Sequence, residues 1–269
     1  MIPALRLVDA PQVRTVFDVG AHNGEDTARY LSMGYRVIAI EAAPNIADKL
    51  RVRFAREIAS GMCEILNIGA GEVAGTLPFY LSRDSEWNSF DRGMAARAGE
   101  VREVLIPVRP LGAIIAEYGE PEFVKIDVEG ADSACVRSMT GYQPAFMSFE
   151  AGADAGEMIA LLHQRGYRSF ALVNQYNHKP VVLPKPGTLA FVKWAGRQWA
   201  RQQLRKHKWI HGRARQAKTT GHQWTQSSGP PPMEVTTGWH SLSQALWVWE
   251  SAVQSGMVDS TWFDVHARR

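Results

Sequence analysis

Four charged side chains at the ends of two apolar runs are the residues of this sequence best suited to chemistry. Lys125, Asp127 and Glu129 occupy every second position where one apolar run ends. Glu150 directly follows the next apolar run, residues 145–149. Side chains two residues apart on a strand share a face, so Asp127 and Glu129 should point into one crevice, with Lys125 one layer deeper. Crowded carboxylates raise at least one of their pKa values, and Lys125 would partly offset this.

Three roles fit these carboxylates from the sequence alone. Asp127, with Glu150 and Lys125 near it, is predicted to act as a general base in a catalytic group. Alternatively, Asp127, Glu129 and Glu150 are possible ligands of a divalent cation, which prefers hard oxygen donors. A purely structural network at the strand ends is the third interpretation.

A glycine-rich turn near the N-terminus predicts a nucleoside-binding domain. The apolar run 15–19 leads into the pattern Asp18-x-Gly20-x-x-x-Gly24, and a helix pattern follows immediately. Glycines permit sharp turns and close approach, and the free N–H groups of a helix start suit an anionic group. A second apolar run, residues 35–40, ends in Glu41, and an acid at that place suits ribose hydroxyls.

The position of Asp18 favours S-adenosylmethionine (SAM) over a dinucleotide. The dinucleotide pattern G-x-G-x-x-G is missing, and a carboxylate would repel pyrophosphate. SAM carries an ammonium group and no phosphate. Asp18 and the loop from Gly20 to Gly24, including His22 and Asn23, should therefore hold its methionine portion, unless Asp18 only braces the turn. Ser89 would contact the same end of SAM or be an ordinary loop residue.

Strand and helix patterns alternate along the chain, which predicts a mostly parallel sheet with helices on both faces. Ligands of such sheets bind beyond the carboxyl ends of the strands. The last strands are expected at Arg168–Asn174 and Val181–Phe191, and residues 82–99 are expected to form a loop over the site. The residues at the predicted carboxyl ends are Gly20, Gly24, Glu41, Asn67, Asp127 and Glu150.

Composition divides the 269 residues into two predicted parts, a SAM-binding domain at residues 1–192 and a basic, Trp-rich helical extension or lid at residues 193–269. Nine basic residues lie between Lys193 and Lys218, and eight of the nine tryptophans follow residue 193. The extension would bind an anionic acceptor, nucleic acid or a membrane surface, or would be a solvated helix anchored by its tryptophans.

Neither a long apolar run nor a signal-peptide pattern is found, so a cytoplasmic protein without integral membrane contact is expected.

Three motifs resemble the FkbM family of SAM-dependent methyltransferases. They are residues 18–24, residues 40–44, and residues 125–132 followed by 148–150, and the resemblance extends over roughly residues 15–192. It implies a class I methyltransferase fold with a seven-stranded, mostly parallel sheet. It also implies methyl transfer from SAM to a hydroxyl of a sugar, glycan or natural product. Pro231 and Pro232 depart from the family's usual residues after a tail loop.

Two other functions stay open at this stage. An NAD(P)-dependent oxidoreductase would use the same α/β architecture but lacks its glycine fingerprint. A non-enzymatic nucleic-acid-binding module would use the basic extension, although no nucleic-acid motif accompanies it and nucleic acid is not the expected partner. The expected partner is a small-molecule or glycan acceptor, which would be anionic if it binds the basic extension, and the sequence gives no oligomeric state.

Overall fold

The computed structural model describes most of the N-terminal two thirds of the chain and part of the remainder. Described are residues 13–128, 130–175, 177–184, 187–190, 192, 193, 196, 200, 229–255 and 263–269. Glu129 and the basic stretch from 201 to 218 lie outside the described residues.

Eleven strands and eight α-helices are described in these ranges. The strands are β1 (Thr15–Val19), β2 (Arg36–Ile40), β3 (Cys63–Leu66), β4 (Gly69–Gly71), β5 (Gly75–Ser82), β6 (Val101–Pro110), β7 (Phe123–Ile126), β8 (Phe146–Glu150), β9 (Ser169–Asn174), β10 (Lys179–Pro180) and β11 (Phe263–Arg268). The helices are α1 (Glu25–Ser32), α2 (Pro44–Arg53), α3 (Ala55–Ala59), α4 (Arg92–Ala95), α5 (Leu111–Tyr118), α6 (Asp132–Ser138), α7 (Ala155–Gln164) and α8 (Leu242–Ser255).

The central sheet has the mostly parallel architecture that the alternation predicts. Its eight strands run in the order β10-β9-β11-β8-β7-β1-β2-β3, against the seven expected. The extra strand is the two-residue β10, which pairs antiparallel with β9. β1, β2, β3, β7 and β8 pair in parallel, and β11 is inserted antiparallel between β8 and β9.

The prediction of a strand at Val181–Phe191 is wrong. The last hydrogen bond to β9 is the one that the amide of Val181 donates to the carbonyl oxygen of Leu172, at 2.8 Å. Residues 181–184 have no regular structure. Pro184 has no N–H to donate, so it cannot continue a ladder on both sides. The strand that fills this place is β11, near the C-terminus, which forms hydrogen bonds with both neighbours.

Both faces of the sheet are buried, and successive strand residues enter two different cores. Val16 packs with Tyr30 and Leu50 on the side of α1 and α2. Phe17 packs with Ile114 and Ile159 on the side of α5 and α7. Because side chains of a strand alternate between faces, this two-sided burial explains why the strands read as continuous apolar runs.

A second, three-stranded sheet carries the segment that covers the site. Its order is β4-β6-β5, and β5 and β6 form an antiparallel pair. Residues 83–98 connect these two strands through the short helices Ser85–Trp87, α4 and Ala96–Ala98. We call residues 83–98 the covering segment; sequence analysis expected an irregular loop there.

The described C-terminal residues pack against the sheet. α8 contacts α7 and β9, while β11 lies inside the sheet, so the described part of residues 193–269 is not wholly helical. The division at residue 192 stays a prediction. None of the described helices has the length and hydropathy needed to cross a bilayer.

We predict that Phe263→Ala destabilises the fold although Phe263 lies only six residues before Arg269, the last residue of the sequence. Phe263 is 1% exposed in the core beside α7 and α8, and truncating a buried Phe costs about 3–5 kcal/mol. Urea unfolding would measure the loss. The control Leu105→Ala removes a side chain that is 68% exposed, and it should change stability by at most about 0.5 kcal/mol. An equally small loss for Phe263→Ala would contradict the placement of β11.

Candidate functional site

A cavity of about 890 Å³ lies at the carboxyl ends of the central strands. The covering segment forms one wall of it, and residues 150–154 and α8 contribute others. Of the residues that sequence analysis selected, those in the wall are Gly20, His22, Glu41, Ser89, Lys125, Asp127 and Glu150. Asp18, Asn23, Gly24 and Asn67 are described but lie outside the wall.

A buried lysine joins three carboxylates beneath this cavity. The Lys125 Nζ atom lies 3.3 Å from Asp18 Oδ1, 3.5 Å from Asp26 Oδ2 and 3.4 Å from Asp127 Oδ2. It also donates a hydrogen bond to the carbonyl oxygen of Gly20, at 3.2 Å. Burial alone would lower the pKa of Lys125, but the three carboxylates outweigh burial and raise it. The lysine is therefore a fixed cation that holds β1, α1 and β7 together.

Asp18 supports the glycine loop from inside the protein. Its side chain is fully buried, next to Lys125 in the parallel register of β1 and β7. The hydroxyl of Thr27 donates to Asp18 Oδ2 at 2.5 Å. Burial raises the pKa of Asp18, and the charge of Lys125 opposes that rise. In this structure Asp18 orients Lys125 and α1, and other residues form the surface that a ligand would meet.

The two glycines of the loop are required by close packing within the protein. Gly20 and Gly24 have φ angles of 82° and 78°, where side chains are strained. A Cβ atom at Gly20 would lie 1.8 Å from the carbonyl oxygen of Asp127, and one at Gly24 would lie 2.6 Å from the Phe54 ring. The sequence analysis explained these glycines by close approach of the backbone to a ligand. In the structure the close contacts that exclude a side chain are with the end of β7, for Gly20, and with the end of α2, for Gly24.

Glu41 is held at the edge of the cavity by two backbone amides. The N–H of His22 donates to Oε2 at 2.8 Å, and the N–H of Ala43 donates to Oε1 at 2.7 Å. Burial raises the pKa of Glu41, while these two donors oppose the rise. Each carboxylate oxygen has further acceptor capacity, so a pair of ligand hydroxyls can still bind there.

Asn67 and Asn23 contribute to the surroundings of the site. The Asn67 amide donates to the carbonyl oxygens of Glu41 and Ala42, at 2.9 and 3.0 Å, and so fixes the turn after β2. The backbone carbonyl of Asn23 accepts a hydrogen bond from Arg53.

His22 connects the glycine loop with the covering segment. Its Nε2 atom lies 2.9 Å from the hydroxyl oxygen of Ser85, and burial lowers the pKa of His22. Ser89 is buried in the same segment, and its hydroxyl accepts the N–H of Asp91 at 3.0 Å. The covering segment is thus attached directly to the loop that the sequence assigned to ligand binding.

Glu150 combines a place in the cavity wall with a pKa suited to proton transfer. Burial and the nearby charge of Asp127 raise the pKa of Glu150 to about 7. The contribution of Asp127 has the direction that the sequence analysis expects for neighbouring carboxylates, although burial is the larger cause. A carboxylate that is half deprotonated near neutral pH is a suitable general base.

Sequence analysis missed part of the polar surroundings of Glu150. Asp132, at the start of α6, is buried and has a raised pKa caused by burial and by Asp127 and Glu150. Asp264 on β11 pairs in register with Glu150 and accepts a hydrogen bond from Gln175 at 2.8 Å. The signal for Asp264 was the alternation of apolar and polar residues over 263–268, which the prediction of a helical extension over 193–269 did not use. His178 lies against Gly229, outside the cavity wall.

Metal binding gains no support from the described side chains. Among them, no group of three or more His, Cys, Asp or Glu residues could hold a metal ion. Glu129, one of the three suggested ligands, lies outside the described residues.

A protein family model matches more than half of this chain. The family model of the methyltransferase FkbM domain matches residues 18–169. The sequence has no significant match among curated proteins.

Several solved methyltransferases are similar to the chain at low identity. Methyltransferase FkbM from Methylobacillus flagellatus is 22% identical over 58% of this chain, with a TM-score of 0.42, and the match spans only 39% of that protein's length. A TehB-like SAM-dependent methyltransferase from Corynebacterium glutamicum is 11% identical over 64% of this chain and 76% of its own, with a TM-score of 0.37. Phosphoethanolamine N-methyltransferase 2 from Haemonchus contortus, solved with SAM, is 10% identical over 96% of this chain and 49% of its own, with a TM-score of 0.35.

We predict that Lys125→Met strongly destabilises the protein, because it leaves buried carboxylates without their cation. Removing one partner of a buried ion pair costs about 3–5 kcal/mol. The double variant Asp18→Asn/Lys125→Met should recover part of this loss, because one uncompensated charge is gone. Denaturant unfolding of both variants would measure the difference. Lys49→Met, on the exposed side of α2, is the matched control. If Lys125→Met is as stable as this control, the cluster does not organise the fold.

Proposed function

The chain belongs to the FkbM methyltransferase family, and we propose that it transfers the methyl group of SAM to a hydroxyl of a sugar, glycan or natural product. The observation that carries the choice of a hydroxyl is Glu150, a cavity-wall carboxylate whose pKa is raised to about 7. Such a group can accept the proton that a hydroxyl loses when its oxygen is methylated.

The cofactor end of the cavity has the donors and acceptors that SAM needs. Glu41 offers acceptors for the two ribose hydroxyls, and its orientation is fixed by the N–H groups of His22 and Ala43. The carboxylates around Lys125 provide negative charge for an ammonium or sulfonium group, and Asp127 is the most exposed of them, at 37% of its side chain. Gly20 and His22 complete this wall. These residues fit the cofactor that the family implies.

The acceptor hydroxyl would be activated between Asp127 and Glu150. Gly20, His22 and Glu41 would hold SAM, and the bound cofactor would supply an electrophilic methyl group to the hydroxyl oxygen, with S-adenosylhomocysteine as the leaving group. Glu150 accepts the hydroxyl proton. Asp127, which Lys125 holds in place, orients the hydroxyl. Most of the rate enhancement would come from alignment of the two reactants and exclusion of water, which are worth several kcal/mol in well-oriented reactions.

The alternatives from sequence analysis receive less support. The carboxylates Asp26 and Asp127 in the cavity wall would repel the pyrophosphate of NAD(P). The family match also favours a methyltransferase over an oxidoreductase or a nucleic-acid-binding module. Metal-assisted activation by Asp127 and Glu150 remains the other possibility for the chemical step, and it predicts a loss of activity with EDTA.

Glu41→Ala should weaken binding of S-adenosylhomocysteine by about 1.5–3 kcal/mol, the contribution of hydrogen bonds to a charged group. Calorimetric titration measures this affinity, and circular dichroism establishes that the variant is folded. Glu25→Ala is a suitable control, since Glu25 lies in α1 close to the loop but outside the cavity wall. Unchanged affinity in folded Glu41→Ala protein would refute the ribose assignment.

Glu150→Gln should lower kcat by about 10²–10⁴-fold, the usual contribution of a general base. The wild-type rate should rise with pH up to about 7, where Glu150 becomes deprotonated, and this rise should be absent in the variant. Asp127→Asn should also reduce turnover strongly, and EDTA should leave the wild-type rate unchanged. A pH profile of Glu150→Gln that keeps the wild-type shape would show that another group is the base.

A further inference from the structure

The cavity has one cationic side chain that the proposed reaction does not use. Arg97 lies in the short helix Ala96–Ala98 of the covering segment and lines the cavity. Its guanidinium carbon lies 5.0 Å from the centre of the Trp87 ring, which is also part of the wall. The two side chains form a stacked arginine–tryptophan pair on the wall that the covering segment provides.

The other cations of the wall are neutralised within the protein. Lys125 is surrounded by three carboxylates, and Arg137 forms an ion pair with Asp154 at 3.0 Å. Arg97 has no salt-bridge partner in the part of the chain that the structure describes. Arg97 is therefore the cavity cation that remains available to a ligand.

Stacking prepares Arg97 for an anionic partner. The contact with the Trp87 ring engages the charge of the guanidinium and does not use its N–H donors. Those donors match the two oxygens of a carboxylate or phosphate. Contact with the ring before a ligand binds reduces the freedom that the guanidinium loses on binding, which favours affinity.

The covering segment itself is fixed at several points. Asp91 accepts the N–H of Met94 at 2.9 Å, and the amide of Ser82 donates to Asn88 Oδ1 at 2.8 Å. Ser85 contacts His22 of the glycine loop. Arg97 thus belongs to a segment with a defined position relative to the cofactor end.

Asp26, Glu41 and Asp127 supply carboxylates to the cavity wall, where they suit a sulfonium or ammonium group. Arg97 supplies a cation to the wall formed by the covering segment, where it suits an acidic group. We propose that Arg97, supported by Trp87, binds an acidic group of the acceptor, so that the preferred acceptors are sugars or natural products that carry a carboxylate or a phosphate. This proposal rests on the proposed methyl transfer to a hydroxyl, which it makes more specific.

The experiment compares acidic and neutral acceptors of matched shape. Wild-type protein is incubated with methyl-labelled SAM and one of three sugars, and transfer of the label to the sugar is measured. The sugars are glucose, glucuronate and glucose 6-phosphate. Calorimetry measures the binding of each sugar to the complex of the protein with S-adenosylhomocysteine. The two acidic sugars distinguish a carboxylate from a phosphate. We expect at least one acidic sugar to bind at least tenfold more tightly than glucose.

Four variants assign that preference to the stacked pair. Arg97→Gln should weaken binding of the acidic sugar by about 10- to 100-fold, the range for one charge-assisted pair, and should leave the affinity for glucose and S-adenosylhomocysteine unchanged. Trp87→Ala should have a smaller effect of the same kind, and Trp87→Phe should restore most of the binding. Arg92→Gln is the matched control, because Arg92 is exposed in α4 outside the cavity wall.

Each result has a single meaning. If no acidic sugar binds more tightly than glucose, or if Arg97→Gln weakens both sugars equally, the proposal is refuted. If Arg97→Gln weakens S-adenosylhomocysteine instead, Arg97 belongs to the cofactor site and the proposal is also refuted. Wild-type protein that does not bind S-adenosylhomocysteine at all would contradict the proposed function itself.

Discussion

The buried ion cluster around Lys125 is the interaction on which the rest of the site depends. Moving a charge out of water is costly, and removing one partner of a buried pair leaves an uncompensated charge. Here one ammonium group meets carboxylates from β1, α1 and the end of β7, and it also contacts the carbonyl of Gly20. β7 is distant in sequence from β1 and α1, so the cluster fixes the relative position of the glycine loop and of Asp127.

The geometry of the remaining site follows from that fixed point. Asp127 is the most exposed carboxylate of the cluster, and its charge helps to raise the pKa of Glu150 on the neighbouring strand. On the other side, the glycine loop presents the N–H of His22 to Glu41, and the His22 ring contacts the covering segment. Direct contacts therefore connect the proposed ribose acceptor with the wall that carries Arg97, and the charge of Asp127 connects the ion cluster with the proposed base.

Much of this arrangement could be predicted from the sequence, because it depends on local patterns. Apolar runs ending in polar residues located the strands, and period-two alternation placed Lys125 and Asp127 on one face.

The long-range features could not be predicted in this way. Whether Asp18 faces a ligand or lies buried depends on its neighbour across the sheet, Lys125, which only the register of β1 and β7 determines. Similarly, the insertion of β11 between β8 and β9 joins residues at least 89 positions apart, a separation that no local pattern reveals.

A structure with bound S-adenosylhomocysteine would test the central claim most directly. The claim is that the cavity above the Lys125 cluster holds the cofactor with its sulfur facing the acceptor end. Crystallography of this complex should place the ribose hydroxyls within hydrogen-bonding distance of Glu41 and the sulfur on the side of Asp127 and Glu150. Binding outside this cavity, or a sulfur that points away from Glu150, would contradict the account.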